Sequence, residues 1–129
     1  MASIFTRIIQ GEIPCHQIDE NDDFIAFLDI TPVAVGHTLV IPKKEIDYFF
    51  DLDENLLRDI NLFAKGVAQK IQRVVPCRRI GVAIIGLEVP HAHVHLVPLN
   101  TMRDINFSAE RINMSQEDLA ALAEKIRKA

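Results

Sequence analysis

The sequence predicts an α+β fold in which an antiparallel sheet of about five strands packs against one long helix, with shorter helices near both ends of the chain. Two patterns carry this prediction. Short apolar runs of strand length lie on both sides of a central segment, and within that segment apolar side chains recur at three- and four-residue spacing. With 129 residues, of which 49% are hydrophobic, the chain is long enough to bury the core of a single domain over residues 1–129.

The N-terminal half is predicted to hold one short helix and three strands. The helix spans residues 4–10, and Gly11 and Pro14 end it because neither residue continues a helix well. Each strand is a short run beside turn-forming residues, over 16–19, 24–28 and 38–41. The first two strands flank a polar turn and are therefore expected to pair as a hairpin.

The longest predicted helix begins after Asp53, whose side chain is suited to cap its first turn. Its apolar positions form one stripe: Leu56, Leu57, Ile60, Phe63, Ala64, Val67 and Ile71. Pro76 lies beyond its end. This helix is expected to cover one face of the sheet.

The C-terminal half returns to strands and closes with a helix. Residues 79–85 read as an apolar strand, 86–90 as a turn and 91–97 as a second strand. Ser115 and Asp118 resemble a capping box ahead of a last amphipathic helix. The order of strands, long helix, strands and helix is typical of an α+β fold.

The composition excludes several classes of protein. A net charge of −4 lacks the basic excess of an electrostatic nucleic-acid binder. No apolar run reaches the ~20 residues that span a bilayer, and the first residues lack the apolar core of a signal peptide. Cys15 and Cys77 form no Cys-x-x-Cys pair, which favours reduced thiols. We therefore expect a cytoplasmic protein with a small-molecule substrate and with no nucleic-acid or membrane partner.

Residues 91–97 carry the strongest functional signal. They read His-Ala-His-Val-His-Leu-Val, so three of the five histidines occupy alternate positions. Alternate side chains of a strand point to one face, which places these three imidazoles together. The residues that face the other way are apolar and suit a core: Ala92, Val94 and Leu96. Because the pKa of imidazole is ordinarily near neutrality, this row predicts a functional site.

Three interpretations of the row compete. Solvated residues on a sheet face would explain one histidine better than three in register. A metal site shared by all three is disfavoured, because His91 and His95 lie roughly 13 Å apart in a strand whereas zinc–nitrogen bonds measure ~2.1 Å. A metal site formed by two of the histidines and a ligand from elsewhere, such as Glu88, remains an alternative. Nucleophilic catalysis at phosphorus, with a neutral central imidazole attacking and its neighbours donating hydrogen bonds or a proton, uses every feature of the row and is the interpretation we favour.

Around this row the sequence resembles the histidine triad (HIT) family. Besides the triad and the proline after it, the similarity includes residues 3–14, 24–32 and 36–44, which resemble the opening helix of the family and its next two blocks. The similarity covers roughly residues 3–107. It implies a HIT-like α+β fold, a symmetric homodimer formed through the long helix and a sheet edge, and a nucleotidyl hydrolase or transferase without a cofactor.

The resemblance also implies roles for particular residues. His93 would attack the α-phosphorus of a nucleotide conjugate and form a nucleotidyl-histidine intermediate that water resolves. His91 and His95 would line the phosphate site, with His37 as a supporting hydrogen-bonding residue behind them. Asp29 matches the ribose-binding position. Six further residues match positions around the nucleobase, although several would otherwise be read as core: Phe5, Ile8, Ile13, Phe27, Leu28 and Ile30.

Three features depart from the pattern of the family. Where many relatives carry a Cys-x-x-Cys and a histidine that bind a structural zinc, this chain has Ser3, Thr6 and Glu45, so we expect no metal. Leu87 stands where a glutamine commonly contacts the leaving group, and leucine cannot hydrogen-bond. The segment 80–85, often polar and glycine-rich in relatives, is apolar here.

The favoured function is hydrolysis of nucleoside phosphoramidates or related nucleotide conjugates, as in the Hint-like branch of the family. One alternative is a dinucleoside polyphosphate hydrolase or nucleotidyl transferase. A second alternative, a nucleotide-binding protein with little activity, is made credible by Leu87 and by the apolar segment before the triad.

Overall fold

One antiparallel sheet forms the centre of the structure. The computed structural model describes residues 2–129; Met1, which the predicted domain includes, lies outside them. In chain order the elements are α1 (Ile4–Ile9), β1 (Gln17–Glu20), β2 (Phe24–Leu28), β3 (Thr38–Pro42), α2 (Glu54–Val74), β4 (Arg79–Ala83), β5 (Val94–Leu99) and α3 (Gln116–Arg127), with 3-10 turns at Phe49–Asp51 and Met102–Ile105. The strand order across these described residues is β1-β2-β3-β5-β4, with every pair antiparallel. The predicted α+β class is confirmed.

The middle strands of the sheet are buried on both faces, and strand alternation divides their side chains between two cores. The main core lies on the side of α2 and α3 and takes alternate residues of the central strands: Phe24, Ala26, Leu28, Val40, Val94 and Leu96. A smaller core lies on the side of α1. It contains Phe5 of α1 and the strand residues that point to this opposite face: Ile25, Phe27, Leu39 and Ile41. β2 and β3 are therefore buried along their whole length.

The helices begin where their capping residues predict. The Asp53 carboxylate accepts a hydrogen bond from the Leu56 backbone N–H at 2.8 Å, and α2 follows. The buried residues of α2 belong to the predicted stripe: Ile60, Ala64, Val67 and Ile71. The Ser115 hydroxyl accepts from the Asp118 N–H at 3.0 Å at the start of α3, which is one half of the predicted capping box. Within residues 2–129, no helix combines the length and the apolar character needed to cross a bilayer.

The strand that carries the histidines is shorter than predicted. β5 begins at Val94 rather than at position 91, and β4 ends at Ala83 rather than at position 85. Before Val94 the backbone leaves the ladder, because the N–H of Ala92 donates to the carbonyl of Ile46 at 2.7 Å instead of to a sheet neighbour. Ala92 nevertheless stays in the main core, as the alternation predicts.

Gly36, at the turn before His37, tests how tightly this fold is packed. Its φ is +93°, and an added Cβ would lie 3.0 Å from Val75 Cγ2 and 3.1 Å from Pro98 Cγ. We expect Gly36→Ala to lower the free energy of unfolding by about 1–3 kcal/mol, through backbone strain and overpacking. As the control, Gly66→Ala in the open middle of α2 should raise it by about 0.5–1 kcal/mol. Urea unfolding measures both, and equal stabilities of the Gly36 variant and the wild type would contradict the packing argument.

Candidate active site

A cleft of about 400 Å³ opens beside β5, on the face of the sheet that carries α1. We call it the triad cleft. Its apolar wall consists of Ile4, Phe5, Leu39, Ile85, Leu87, Val89 and Phe107, and its polar groups belong to Asp29, Thr31, Glu88, His93, His95, Ser108 and Arg111. Clefts of this size, with an apolar wall and a few convergent polar groups, are typical binding sites for small molecules.

His93 is held in one tautomer by the backbone. Its Nδ1 lies 2.8 Å from the carbonyl oxygen of His91, and because a carbonyl only accepts, Nδ1 carries the proton. In the neutral ring, Nε2 then keeps a free lone pair. The ring packs edge-on against those of Phe5 and His95, with centroids 5.1 and 4.9 Å away, and it is only 6% exposed. His93 therefore presents a nucleophilic nitrogen in a fixed orientation.

His37 and His95 form a buried hydrogen-bonded pair. The Val33 backbone N–H donates to His37 Nδ1 at 3.1 Å, so a neutral His37 carries its proton on Nε2 and donates it to His95 Nδ1 at 2.9 Å. The proton of a neutral His95 is then on Nε2, the ring nitrogen that His37 leaves free. His95 thus offers the triad cleft a hydrogen-bond donor.

Burial keeps both rings of this pair uncharged at neutral pH. Removal from water, followed by the charges of Arg111 and His93, lowers the pKa of His37 to about 4. The pKa of His95 falls to about 3 through burial first and then through His93, His37 and Arg111, which outweigh the opposing effect of Asp29. His37 and His95 therefore stand in the site as neutral imidazoles at neutral pH.

His91 lies behind the other two triad histidines rather than in the triad cleft. It is fully buried, its Nε2 donates to the carbonyl oxygen of Pro42 at 2.8 Å, and its Nδ1 accepts from the Ser3 hydroxyl at 2.8 Å. Both ring nitrogens are therefore used within the protein. The structure does not bring this ring to the lining of the cleft, where the resemblance places it, but His91 supplies the carbonyl that orients His93.

The positions that hold zinc ligands in many relatives are joined here by hydrogen bonds. The Ser3 backbone N–H and the Thr6 hydroxyl both donate to Glu45 Oε1 at 2.6 Å. These bonds, led by that from Thr6, lower the pKa of Glu45 to about 2. Two hydroxyls, one carboxylate and His91 do not make the thiolate and imidazole set that structural zinc prefers, and their polar atoms already bind one another.

A second group has better ligands for a metal. One atom each of Asp29, His37 and His95 lies within 4.8 Å of the others, a proximity that sequence reasoning missed. Nitrogen and carboxylate oxygen suit zinc. However, an ion bound between the two rings would replace the hydrogen bond from His37 Nε2 to His95 Nδ1. The absence of a metal stays a prediction.

Two residues of the predicted nucleotide site do line the triad cleft. Phe5 forms part of its apolar wall and contacts His93 edge-on. Asp29 lies on the polar side, where its Oδ1 accepts from the Thr31 N–H at 2.9 Å and its Oδ2 lies 3.7 Å from His37 Nε2. Their contacts with base and ribose stay predictions.

The other apolar residues matched to the nucleobase do not line the triad cleft. Ile8 and Phe27 pack in the smaller core beneath Phe5. Leu28 points to the opposite face of the sheet and lies in the main core, since alternate side chains of β2 face opposite ways. Ile13 is half-buried and Ile30 is 58% exposed, and neither forms part of the lining.

A segment near the C-terminus, to which the sequence alone assigns no role, contributes to the triad cleft. The ring of Phe107 lies edge-on to His95 and His37, with centroids 4.6 and 5.7 Å away. Arg111 reaches across the mouth, where its Nη1 donates to the Thr31 carbonyl oxygen at 2.9 Å. No motif or periodicity marks this stretch, so only the fold reveals its place.

Comparison with known proteins identifies the family of this chain. The family model described as the HIT domain matches residues 10–102, which include the triad and His37. A HIT-like protein of Mycoplasma genitalium is 39% identical over 116 residues, which cover 85% of this chain and 82% of that protein. The chain belongs to the HIT family.

Several relatives and solved structures cover almost the whole chain. An adenosine 5'-monophosphoramidase of Schizosaccharomyces pombe is 33% identical over 129 residues, covering 98% of this chain and 96% of its own length. A Hit-like protein involved in cell-cycle regulation from Bartonella henselae superposes with a TM-score of 0.85 at 32% identity, covering 98% and 94% of the two chains. A zinc-bound histidine triad family protein from Mycobacterium smegmatis has a TM-score of 0.84 at 25% identity, covering 99% and 92%.

Burial of the histidine pair predicts a stability that depends on pH. Unfolded histidines bind protons below a pKa near 6.5, whereas folded His37 and His95 stay neutral down to about 4 and about 3. The unfolded state therefore binds more protons as the pH falls below 6.5, and each histidine removes up to about 1.4 kcal/mol of stability per pH unit between that pH and its folded pKa. Urea unfolding at pH 7 and pH 5 measures the loss. His37→Asn, which cannot titrate there, should show a smaller loss, and stability independent of pH over this range would contradict the burial argument.

Proposed function

We propose that the protein hydrolyses nucleoside phosphoramidates or related nucleotide conjugates, with His93 Nε2 as the nucleophile. The observation that carries this proposal is the hydrogen bond from His93 Nδ1 to the His91 carbonyl oxygen, which leaves the Nε2 lone pair free beside an open cleft. The adenosine 5'-monophosphoramidase activity named for the S. pombe relative supports the choice of substrate class.

The proposed reaction has two steps. His93 Nε2 forms a bond to the α-phosphorus while the bond from phosphorus to the amine breaks, and the amine leaves with the bonding pair and takes a proton from water. A second water molecule then attacks phosphorus and gives a proton to the hydroxide left by the first, while the bond to His93 breaks and returns the lone pair to Nε2, and nucleoside monophosphate is released. Throughout, the Nε2–H of neutral His95 donates to a non-bridging phosphoryl oxygen, where negative charge concentrates.

The two sides of the triad cleft suggest where the rest of the conjugate lies. We place the base against the apolar wall beside Phe5 and the ribose hydroxyls near the Asp29 carboxylate, as the family resemblance implies. Leu87, 88% exposed on the cleft, offers no hydrogen bond to a leaving group. This exposed leucine also favours the second candidate, a nucleotide-binding protein that turns conjugates over slowly.

Removal of the nucleophile tests the proposal. We expect His93→Asn to reduce release of AMP from adenosine 5'-phosphoramidate by at least about 10³-fold, because the asparagine amide preserves a donor for the His91 carbonyl but has no attacking nitrogen. The control is His16→Asn, since His16 lies outside the cleft, where its Nε2 is 2.8 Å from Gln116 Oε1. This variant should release AMP at the rate of the wild type. Unchanged turnover in the His93 variant would refute the nucleophile, and AMP binding without turnover by the wild type would favour the second candidate.

We also propose a homodimer. β4 is an edge strand with Val82 60% exposed, the chain continues into exposed Ile84 and Ile85, and Leu62 on α2 is 62% exposed. An edge strand that carries apolar side chains is a surface on which a second copy can pair.

The dimer is tested by light scattering after gel filtration. The wild type should have twice the mass of one chain, and Val82→Asp should shift it toward the monomer by placing an unpaired charge at the edge. The control is Lys125→Asp on the exposed side of α3, which should keep the mass of the wild type. A wild type that is monomeric at micromolar concentration would refute the proposal.

A further inference from the structure

The chain crosses the mouth of the triad cleft between Phe107 and Ile112. Two hydrogen bonds attach this segment to the loop after β2, one from Arg111 Nη1 to the Thr31 carbonyl oxygen and one from the Ile112 N–H to the Pro32 carbonyl oxygen, both 2.9 Å. The Arg111 guanidinium lies 5.7 Å from the centroid of the Phe107 ring, which itself packs on His95. Arg111 is therefore held at the cleft from two sides.

The second observation about Arg111 is its positive charge. Among the residues of positions 2–129 that line the triad cleft, it is the one permanent cation, beside the carboxylates of Asp29 and Glu88. Burial leaves His37 and His95 neutral, so they cannot balance the charge of a bound phosphate. A phosphoryl group in this cleft needs a positive partner, and the cleft offers the Arg111 side chain.

We propose that Arg111 is a substrate-binding residue whose guanidinium group binds the non-bridging oxygens of the phosphoryl group that His93 attacks. This proposal rests on the proposed function and adds to it a residue that recognises the negative charge of the phosphoryl group. The bond to Thr31 uses one N–H donor of a group that carries several, so donors remain for a bidentate contact with phosphate. The residues matched by the family model end at 102, so Arg111 lies beyond them.

A role confined to holding the segment in place would leave a different signature. An arginine that only joins the segment to Thr31 stabilises the cleft for any ligand, charged or neutral. An arginine that binds phosphate discriminates between AMP and adenosine, which differ by the phosphate alone. The comparison of these two ligands separates the roles and needs no turnover.

The test measures binding of AMP and of adenosine by calorimetry for the wild type, Arg111→Gln, Arg111→Lys and Arg103→Gln. We expect Arg111→Gln to weaken AMP binding by about 10- to 100-fold while adenosine binding stays unchanged. The AMP affinity of Arg111→Lys should lie between those of Arg111→Gln and the wild type, because lysine keeps the positive charge but lacks the planar guanidinium group. Arg103 is exposed and lies outside the cleft, so Arg103→Gln should bind AMP and adenosine as the wild type does. The salt dependence of AMP binding should also be weaker in Arg111→Gln.

The outcomes separate this inference from the proposed function. Equal AMP affinity in Arg111→Gln and wild type, or an equal loss for AMP and adenosine, would overturn the phosphate contact even if the wild type hydrolyses phosphoramidates. A selective loss of AMP binding would support the contact even if the wild type hydrolyses none of them. Urea unfolding of Arg111→Gln close to that of the wild type would confirm that the loss does not arise from a disturbed fold.

Discussion

The hydrogen bond from His93 Nδ1 to the carbonyl oxygen of His91 is the contact on which the site depends. It sets the tautomer of His93 and aims the free nitrogen away from the backbone. The carbonyl is itself fixed, because the His91 ring is bound on one side by Ser3 and on the other by the carbonyl of Pro42. A buried histidine outside the cleft thus orients the ring that the proposed chemistry uses.

Burial makes these bonds effective and also limits what the histidines can do. In a medium of low polarity, hydrogen bonds are stronger and the charged form of imidazole is disfavoured. His37 and His95 are therefore reliable donors and acceptors near neutral pH, but neither brings positive charge to a phosphate. This constraint explains why the proposed site combines neutral imidazoles, which donate hydrogen bonds, with Arg111, which supplies the positive charge from a later segment.

The hydrogen-bonded group of Ser3, Thr6, Glu45 and His91 shows how α1 is attached to the site. It joins the start of α1 to the segment after β3 and to the triad. Hydroxyls and a carboxylate thus join these elements at the positions where the family resemblance implies a structural zinc in relatives. Phe5, the second residue of α1, is consequently held against the His93 ring.

Local patterns in the chain were sufficient for the fold class, for α2 with its cap and buried stripe, and for the apolar side of the histidine strand, since period and capping depend on near neighbours. The start of β5 at Val94, the burial of His91 behind the site and the position of Leu28 in the main core needed the three-dimensional structure. So did the approach of Asp29 to the His37–His95 pair and the place of Arg111 at the cleft. Three of the contacts behind these features join residues far apart in the chain, with 58 positions between His37 and His95, 80 between Thr31 and Arg111, and 88 between Ser3 and His91. Such contacts form only when strand pairing brings distant segments together, and no periodicity along the chain encodes them.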